Sequence, residues 1–483
     1  MLRTWAPLGT LILLGAALRF WRLGDLALIG DESYFWLWSR HLDWAYFDHP
    51  AGTAVLIWLS TALGGGSEAG IRWLNALLGV GCVLLAYRLG KGLFDRRAGL
   101  FAAGVVAVGA PYLLTARFVY TDVLHLFLLL SNLYWFWRMV EECPGPRLAS
   151  AIAFGLSLAL LFNTKYSAYL YALALGAAIL IDHRRLLAQR RFWLAVGIAA
   201  LGLVPVIAWN AAHDWASFRW QLSHAGLSLT GDYSLLGTMR HSLVYLTWPL
   251  AALALLGLGV VRQPAGRLLT LVALLLILPV ALSRANSPRN LSSGLVLLLV
   301  LAGTRWPAMP DKRRQIWLVA LLALLVGLTA IYGLGTVASL DGAQGWPHSS
   351  SVSDILRDAA GWRDLGPALA QYPQPVFALD YSIASQIWYY SGKPAYTSWG
   401  QYHLWGIPPL QDASIASLDY LDETLVTEHL GTAFQTVTGP QYLQYEERGA
   451  AKEVRVWLAE GLQVDQETFL DQFDFLHLLE ADR

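Results

Sequence analysis

The chain has 483 residues, of which 56% are hydrophobic and 14% are charged, and its mean hydropathy is +0.45. This composition excludes an ordinary soluble protein and is typical of a chain that crosses a membrane many times. The formal net charge is zero and no dense basic stripe occurs, so the sequence gives no support for a nucleic-acid partner. Its two cysteines imply neither a disulfide framework nor a metal cluster.

Apolar segments recur along residues 1–336 and predict a polytopic α-helical membrane domain. About eleven spans are expected, near residues 5–22, 69–88, 98–116, 121–138, 148–162, 167–181, 192–209, 241–261, 268–283, 291–304 and 316–336. Outer loops are expected at 23–68 and 210–240. Residues 337–483 are mixed in polarity and predict a soluble α/β domain. Its strands are "QPVFALD", "TAFQTVTG" and "KEVRVWLAEGL", and "YSIASQIWYYSG" is a helix that ends at Gly392.

The first apolar segment lacks a small-residue cleavage pattern, so it is interpreted as an uncleaved first span. If the N-terminus is cytoplasmic, the inside loops hold more Lys and Arg than the outside loops, as short cytoplasmic loops do. The sequence therefore predicts a multi-pass protein of the inner (cytoplasmic) membrane. Its N-terminus would be cytoplasmic and its C-terminal domain periplasmic or otherwise extracytoplasmic.

The first outer loop contains the stretch "GDESYFWLWSRHLDWAYFDHP", residues 30–50, in which carboxylates alternate with aromatic rings. Asp31 and Glu32 begin a helix-like run, and acids at that position can simply complement the helix dipole. The functional interpretation is a general base near the outer face, in a pocket walled by Tyr34, Trp36 and Trp38. The rings suit sugar binding, but they equally suit an aromatic belt at the membrane interface.

Other ionisable residues also fall in the outer loops. Asp48 and His49 precede a proline turn and form either a hydrogen-bonded loop or, with His224 or Asp214, part of a metal site. Asp122 either starts a helix or marks a site at membrane depth. Lys165 either snorkels or binds a lipid phosphate, helped by Arg117, Arg284 or Arg289. The predicted sugar or acceptor contacts are Tyr34, Trp38 and Tyr166.

The motifs "GDESYFWLWSRHLDWAYFDHPAG", "TD", "NTKYSA" and "PVIAWNAAHDWASFRWQLSHAG" together resemble the bacterial branch of the protein O-mannosyltransferase superfamily. This branch is related to the transferases that add aminoarabinose or galacturonic acid to lipid A. The resemblance covers about residues 15–300, and "GKPAYTSWGQYHLW" is similar to the family's extracytoplasmic domain. It implies a GT-C fold and a polyprenyl-phosphate sugar donor.

The resemblance also implies roles for individual residues. Asp31, then Glu32, match the catalytic acids of the first outer loop, and Asp122 matches a further acid after the third span. Lys165, Arg284 and Arg289 correspond to cations that hold the donor phosphate. His49 stands where the aminoarabinose branch has a lysine, which departs from that pattern at a phosphate-binding position. Asp48 and His224 would be the counterparts of residues that bind a divalent metal ion, the one cofactor the resemblance suggests.

The implied reaction is an inverting displacement at the anomeric carbon of the sugar. Asp31 would deprotonate the hydroxyl of a lipid, glycan or protein acceptor, while polyprenyl phosphate leaves against cations. The alternative is a lipid-linked sugar flippase or another membrane transporter. Transporters place ionisable groups at the bilayer midplane and show repeated halves, whereas here these groups cluster at the outer loops and no repeat is visible.

Overall fold

The computed structural model describes residues 2–224, 247–258, 263–282, 288–304, 312–419, 421–447 and 450–473. The chain forms two compact units. The first unit comprises Met1–Leu23 and Leu42–Val352, and the second comprises Gly24–His41 and Ser353–Arg483.

The described residues of the first unit are mainly helical, with non-helical stretches at 42–51 and 341–350 and one isolated β-bridge, Ala45 with Pro50. Its α-helices are α1 (Leu2–Phe20), α3 (Gly52–Gly64), α4 (Glu68–Leu93), α5 (Arg96–Val108), α6 (Ala110–Arg117), α7 (Thr121–Glu141), α8 (Leu148–Phe162), α9 (Ser167–Asp182), α10 (Arg190–Leu201), α11 (Val204–Ala212), α12 (Ala216–His224), α13 (Trp248–Gly257), α14 (Pro264–Leu282), α15 (Ser292–Gly303), α16 (Lys312–Leu340) and the start of α17 (Ser351–Ala359). All twelve residues of α15 are buried, so this helix lies inside the unit.

The described residues include four helical segments long and apolar enough to cross a membrane: Glu68–Leu93, Thr121–Glu141, Arg190–Ala212 and Val319–Leu340. A fifth is present if the bent pair α5 and α6 counts as one span, and seven further apolar helices are shorter. Short helices suit a protein whose spans are broken around a cavity. The chain is thus a helical membrane protein, while the count of about eleven spans stays a prediction.

The bend between α5 and α6 has a local cause. The two helices differ in direction by 56° at Gly109, and Pro111 lies in the first turn of α6, where a missing N–H costs nothing. The break frees carbonyl groups at the end of α5. Arg19 of α1, which is fully buried, donates to the carbonyls of Val106 at 2.8 Å and Ala107 at 3.0 Å. The buried Arg19 side chain therefore supplies hydrogen-bond donors to the carbonyl groups that the break leaves without intrahelical partners.

The second unit is an α/β structure around one five-stranded sheet, with strand order β2-β1-β3-β5-β4. The strands are β1 (Val376–Ala378), β2 (Ala395–Tyr396), β3 (Asp412–Leu418), β4 (Phe434–Glu447) and β5 (Ala450–Leu462). Strand β1 pairs in parallel with β2 and β3, whereas β5 is antiparallel to both β3 and β4. The helices are α2 (Gly30–Arg40), the rest of α17, α18 (Trp362–Leu369), α19 (Tyr381–Ser391), α20 (Gly400–Trp405), α21 (Glu423–Ala433) and α22 (Gln466–Gln472).

The local sequence explains the parallel crossover from β1 to β2. Asp380 follows the buried strand β1 and caps α19, because its carboxylate accepts the N–H of Ser382 at 2.7 Å. Gly392 then ends α19 with φ of 69°, a left-handed conformation that favours glycine. The core of the unit contains fully buried Phe377, Ile415 and Trp457. The helix end at Gly392 is confirmed, and each of the three predicted strand segments contains a strand. The first two residues of the second segment, Thr432 and Ala433, belong to α21 instead.

The predicted domain boundary at 336/337 differs from the division between the compact units, which falls after Val352. Residues 24–41, predicted as part of an outer loop of the membrane domain, belong to the second unit. The physical reason is close packing, since a Cβ atom on Gly30 of α2 would lie 2.2 Å from Ser382 Cβ of α19. The extracytoplasmic location of the C-terminal domain stays a prediction.

Candidate active site

A buried ion pair joins two of the predicted site residues in the first unit. Asp122 is the second residue of α7, and Lys165 lies in the turn between α8 and α9. The Lys165 ammonium donates to Asp122 Oδ1 at 2.9 Å, and both side chains are largely buried. A buried charge needs a partner to offset its desolvation, which this pair supplies.

The turn that carries Lys165 is fixed from several sides. Asn163 donates its amide to the carbonyls of Ala159 at 2.9 Å and Gly202 at 2.7 Å. Its backbone carbonyl accepts the N–H of Gly52 at 2.6 Å, at the start of α3. A Cβ atom at residue 52 would lie 2.4 Å from that carbonyl oxygen, so only glycine allows this approach. The position of Lys165 is therefore set by rigid helix ends.

Two residues of the 3₁₀ turn Pro288–Leu291 extend the ion pair. Lys165 also donates to the side-chain oxygen of Asn290, which lies just before the buried helix α15. The Arg289 guanidinium stacks over the Tyr120 ring, 4.2 Å from its centroid. Arg289 thus lies against Tyr120, two residues before Asp122, whereas Arg284 lies outside the described residues. The phosphate-binding roles of both arginines stay predictions.

Sequence reasoning missed His125 and Asn290. His125 stands one helical turn after Asp122 and is almost fully buried. Its Nδ1 is 3.0 Å from Thr164 Oγ1, next to Lys165 in the chain. The spacing of three residues from an acid on one helix face was an available signal for His125. Asn290 lies between the predicted spans 268–283 and 291–304, but nothing local marks it as a partner of a residue 125 positions away.

Arg117, predicted as a further phosphate-binding cation, has a structural role. Its guanidinium donates to the carbonyls of Leu18 at 2.9 Å and Trp21 at 2.8 Å, at the end of α1. A cation at a helix C-terminus satisfies its last carbonyl groups and complements its dipole.

The loop with Asp48 and His49 packs against α11 and α12. Trp209 donates to the Asp43 carboxylate at 2.8 Å, and Gln221 donates to the backbone carbonyl of Asp48 at 2.7 Å. Ser217 of α12 also shares a hydrogen bond with Tyr166, which follows Lys165 in the turn before α9. The connection between α11 and α12 has left-handed backbone at Asp214 (φ 51°) and Trp215 (φ 61°), which is strained for these residue types.

The predicted metal site falls partly outside the described residues. His224 ends α12, but its side chain is not among those that the structure describes. Within the described part of the chain, no group of three or more His, Cys, Asp or Glu side chains could hold a metal ion. The proposed pairing of Asp48 with His224 remains a prediction.

Two acids of the first outer loop, Asp31 and Glu32, lie in the second unit, in the first turn of α2. Glu32 is fully buried and accepts the N–H of Ile29 at 3.2 Å, which makes it a cap for its own helix. Asp31 is partly exposed and accepts the Tyr381 hydroxyl at 3.0 Å. The structural interpretation accounts for Glu32, and Asp31 is the acid that solvent can reach.

Two of the predicted sugar contacts are core residues of the second unit. Tyr34 and Trp38 are at most 1% exposed, and their rings lie 4.9 Å apart. The Tyr34 ring also packs 4.8 Å from that of Tyr381, and its hydroxyl accepts from Trp399 at 3.1 Å. These contacts fill a hydrophobic core, so a sugar-binding role for the two rings stays a prediction.

In chemical terms, the first unit offers a buried cluster of charged side chains with an excess of positive charge. Lys165 and Arg289 carry two positive charges against the one carboxylate of Asp122, while Asn290 holds the ammonium from another side. Such fixed cations stabilise negative charge that develops on a leaving phosphate. The second unit offers, at Asp31, a carboxylate that accepts a hydrogen bond and can accept a proton.

The family model described as dolichyl-phosphate-mannose-protein mannosyltransferase matches residues 48–209, which include Asp122 and Lys165. A curated relative is the lipid A galacturonosyltransferase RgtD of Rhizobium johnstonii, 29% identical over 218 residues. That match covers 44% of this chain and 45% of the relative, so the chain spans under half the length of the curated relative it matches.

Solved structures match along nearly the whole chain. ArnT from Cupriavidus metallidurans bound to undecaprenyl phosphate superimposes with a TM-score of 0.62, at 15% identity, over 94% of this chain and 98% of ArnT. The oligosaccharyltransferase AglB of Archaeoglobus fulgidus, in complex with an inhibitory peptide and a dolichol-phosphate, gives a TM-score of 0.55 at 11% identity, over 99% of this chain and 78% of AglB. These likenesses show the fold. The GT-C fold predicted from the sequence is confirmed, and the matched segments of the chain are similar to glycosyltransferases.

Proposed function

We propose that the protein is an inverting glycosyltransferase that moves a sugar from a polyprenyl-phosphate donor to a hydroxyl group of a lipid, glycan or protein. The observation that carries this proposal is the buried cluster of Asp122, Lys165, Arg289 and Asn290. The first two of these residues lie in the segment matched by the mannosyltransferase family model. ArnT, which has the same fold, binds undecaprenyl phosphate.

The residues divide the chemistry between them. Lys165 and Arg289 bind the donor phosphate, and Asp122 with Asn290 holds the ammonium of Lys165 in place. Asp31 takes the proton from the acceptor hydroxyl, whose oxygen forms a new bond to the anomeric carbon. The bond from that carbon to the phosphate oxygen breaks, and the polyprenyl phosphate leaves with the electron pair. Phosphate is a good leaving group, so cations replace a general acid.

The acceptor class is proposed by analogy with a relative, and the location is proposed from the charges of the loops. The lipid A specificity in the name of RgtD favours an acceptor in the bacterial envelope. The excess of Lys and Arg in the alternate loops favours a cytoplasmic N-terminus, which puts transfer on the outer face of the inner membrane.

The test uses the full chain in lipid nanodiscs with a radiolabelled polyprenyl-phosphate sugar and envelope lipid as the acceptor. We expect a labelled glycosidic product, and losses of at least ~100-fold in Asp31→Asn and Lys165→Met. Matched controls are Asp354→Asn, an exposed acid of α17, and Lys91→Met, an exposed lysine near the end of α4. These should retain wild-type activity.

Two outcomes would refute the proposal. One is full activity in Asp31→Asn or Lys165→Met, which would remove the assigned base or phosphate ligand. The other is transbilayer movement of the intact lipid-linked sugar in proteoliposomes without any glycosidic product, which would make the protein a flippase.

A further inference from the structure

Residues 24–28, which lead to Asp31, are held by side chains that lie more than three hundred residues later in the chain. Within the second unit, Arg363 donates to the carbonyls of Gly24 at 2.8 Å and Asp25 at 3.0 Å. The Tyr390 hydroxyl accepts the N–H of Leu28 at 2.6 Å. Residues 24–28 therefore enter α2 along a path set by α18 and α19.

Asp358, at the end of α17, makes the contact nearest to the start of α2. Its Oδ2 accepts the N–H of Gly30 at 3.0 Å, one of the amides that a helix start leaves without an intrahelical partner. The side-chain amide of Gln386 donates hydrogen bonds to Asp358 Oδ1 at 3.2 Å and to the Leu28 carbonyl at 3.0 Å. The same carboxylate thus caps α2 and is itself oriented by α19.

The backbone of Asp358 is anchored to the sheet. Its carbonyl accepts from Trp362 Nε1 at 2.9 Å and from the ammonium of Lys452 on β5. Burial raises the pKa of Asp358 to about 6, Lys452 opposes this rise, and the nearby Asp31 carboxylate adds to it. Two charged groups on other elements act on the Asp358 carboxyl, namely Lys452 of β5 and Asp31 of α2.

We propose that Asp358 and Tyr381 are positioning residues for Asp31. Asp358 fixes the backbone at the first turn of α2 through Gly30, and Tyr381 orients the Asp31 carboxylate through its hydroxyl. This inference rests on the proposed function of Asp31 as the base. A catalytic carboxylate must be held in place by other residues, because small displacements of a reacting group lower the rate steeply.

The first experiment measures backbone anchoring without any reference to activity. Amide hydrogen exchange of the full chain in nanodiscs is followed by mass spectrometry over residues 28–34. We expect about tenfold faster exchange there in Asp358→Ala, since the acceptor for Gly30 is lost. The matched control is Asp422→Ala, because Asp422 caps α21 in the same unit by accepting the N–H of Leu425 at 2.8 Å. This control should loosen α21 and leave residues 28–34 unchanged.

The second experiment separates positioning from donor binding. In Asp358→Ala and Tyr381→Phe, we expect kcat of transfer to fall about tenfold and KM for the polyprenyl-phosphate donor to stay within about twofold. Tyr372→Phe is the control for Tyr381→Phe, since the Tyr372 hydroxyl donates to Gln441 elsewhere on the unit. If Asp358→Ala does not fold, Asp358→Asn, which keeps an acceptor oxygen, should give intermediate exchange and kcat.

Equal exchange at residues 28–34 in wild type and Asp358→Ala overturns the anchoring. Faster exchange with an unchanged kcat confirms the anchoring but overturns the role of Asp358 as a positioning residue for Asp31. Full activity in Asp31→Asn instead overturns the proposed base. Because hydrogen exchange is read without substrate, failure of the anchor and failure of the proposed function are distinguishable.

Discussion

The contact between α2 and α19 makes a sharp prediction for Gly30→Ala. A Cβ atom at residue 30 would lie 2.2 Å from Ser382 Cβ and 3.3 Å from its Cα. Non-bonded carbon atoms prefer about 3.5–4.0 Å, so the helices must separate by more than ~1 Å. Gly30 adopts an ordinary helical backbone, and alanine therefore adds no conformational strain of its own.

The magnitude follows from these contacts. Overpacking a well-packed site costs about 1–3 kcal/mol, and replacing glycine by alanine at a compatible position returns about 0.4–1 kcal/mol. A weakened hydrogen bond from Gly30 to Asp358 adds about 0.5–1.5 kcal/mol to the loss. The net effect should be a destabilisation of about 0.5–4 kcal/mol at the first turn of α2. A displacement of Asp31 by ~1 Å should also lower transfer by up to ~100-fold.

The assay is native-state hydrogen exchange over residues 28–40, combined with the transfer assay on the same samples. Ser382→Gly removes the clashing Cβ, so Gly30→Ala with Ser382→Gly should recover most of the lost protection and activity. Ser382→Ala is the matched control, because it removes the hydroxyl but keeps the Cβ, and it should not rescue. Wild-type protection in Gly30→Ala, or equal rescue by Ser382→Ala and Ser382→Gly, would refute the steric argument.

Three more expectations concern buried charge. Lys165→Met leaves Asp122 buried without its ammonium and should destabilise the first unit by ~3–5 kcal/mol, whereas adding Asp122→Asn should restore most of the thermal stability. The raised pKa of Asp358 means that the folded state favours the protonated carboxyl. The stability that this proton contributes is complete below about pH 4 and is lost as pH rises through about 6. Local stability at residues 28–34, measured by exchange, should fall by at most ~3 kcal/mol across that window, and the fall should vanish in Asp358→Asn. Arg19→Met leaves the Val106 and Ala107 carbonyls without their donor, which should lower the thermal unfolding temperature, and each orphaned carbonyl costs about 1–3 kcal/mol.

Local chemistry made parts of the fold predictable. The helix after Gly30, the helix end at Gly392 and the strand before Asp380 each depend on residues within a few positions of one another. A helix start at Asp122 was one of two interpretations of that residue, and the structure has both the helix start and the ion pair. The assignment of α2 to the second unit could not be predicted. The hydropathy of residues 24–41 does not show that α19, more than three hundred residues later, packs against them.

The sequence predicted which types of residue form the candidate site better than it predicted which residues contact one another. An acid and a lysine at loop ends were recognised from their cost in a membrane, and the structure pairs Asp122 with Lys165. Asn290 and Tyr381 were missed as partners, because each meets its acid or lysine across more than a hundred residues of chain. Tyr34 and Trp38 look like sugar contacts in a linear stretch, yet burial depends on rings supplied by Tyr381 and Tyr402.

The discontinuity of the second unit limits how this protein can be recombined. A chimaera that exchanges everything after Val352 for the equivalent part of a homologue would keep α2 but lose α19, the surface on which it is built. Tyr34 and Trp38 would then face foreign side chains, and misfolding could be mistaken for altered acceptor choice. A chimaera that folds must exchange residues 24–41 together with the C-terminal part, so that α2 and α19 come from the same protein.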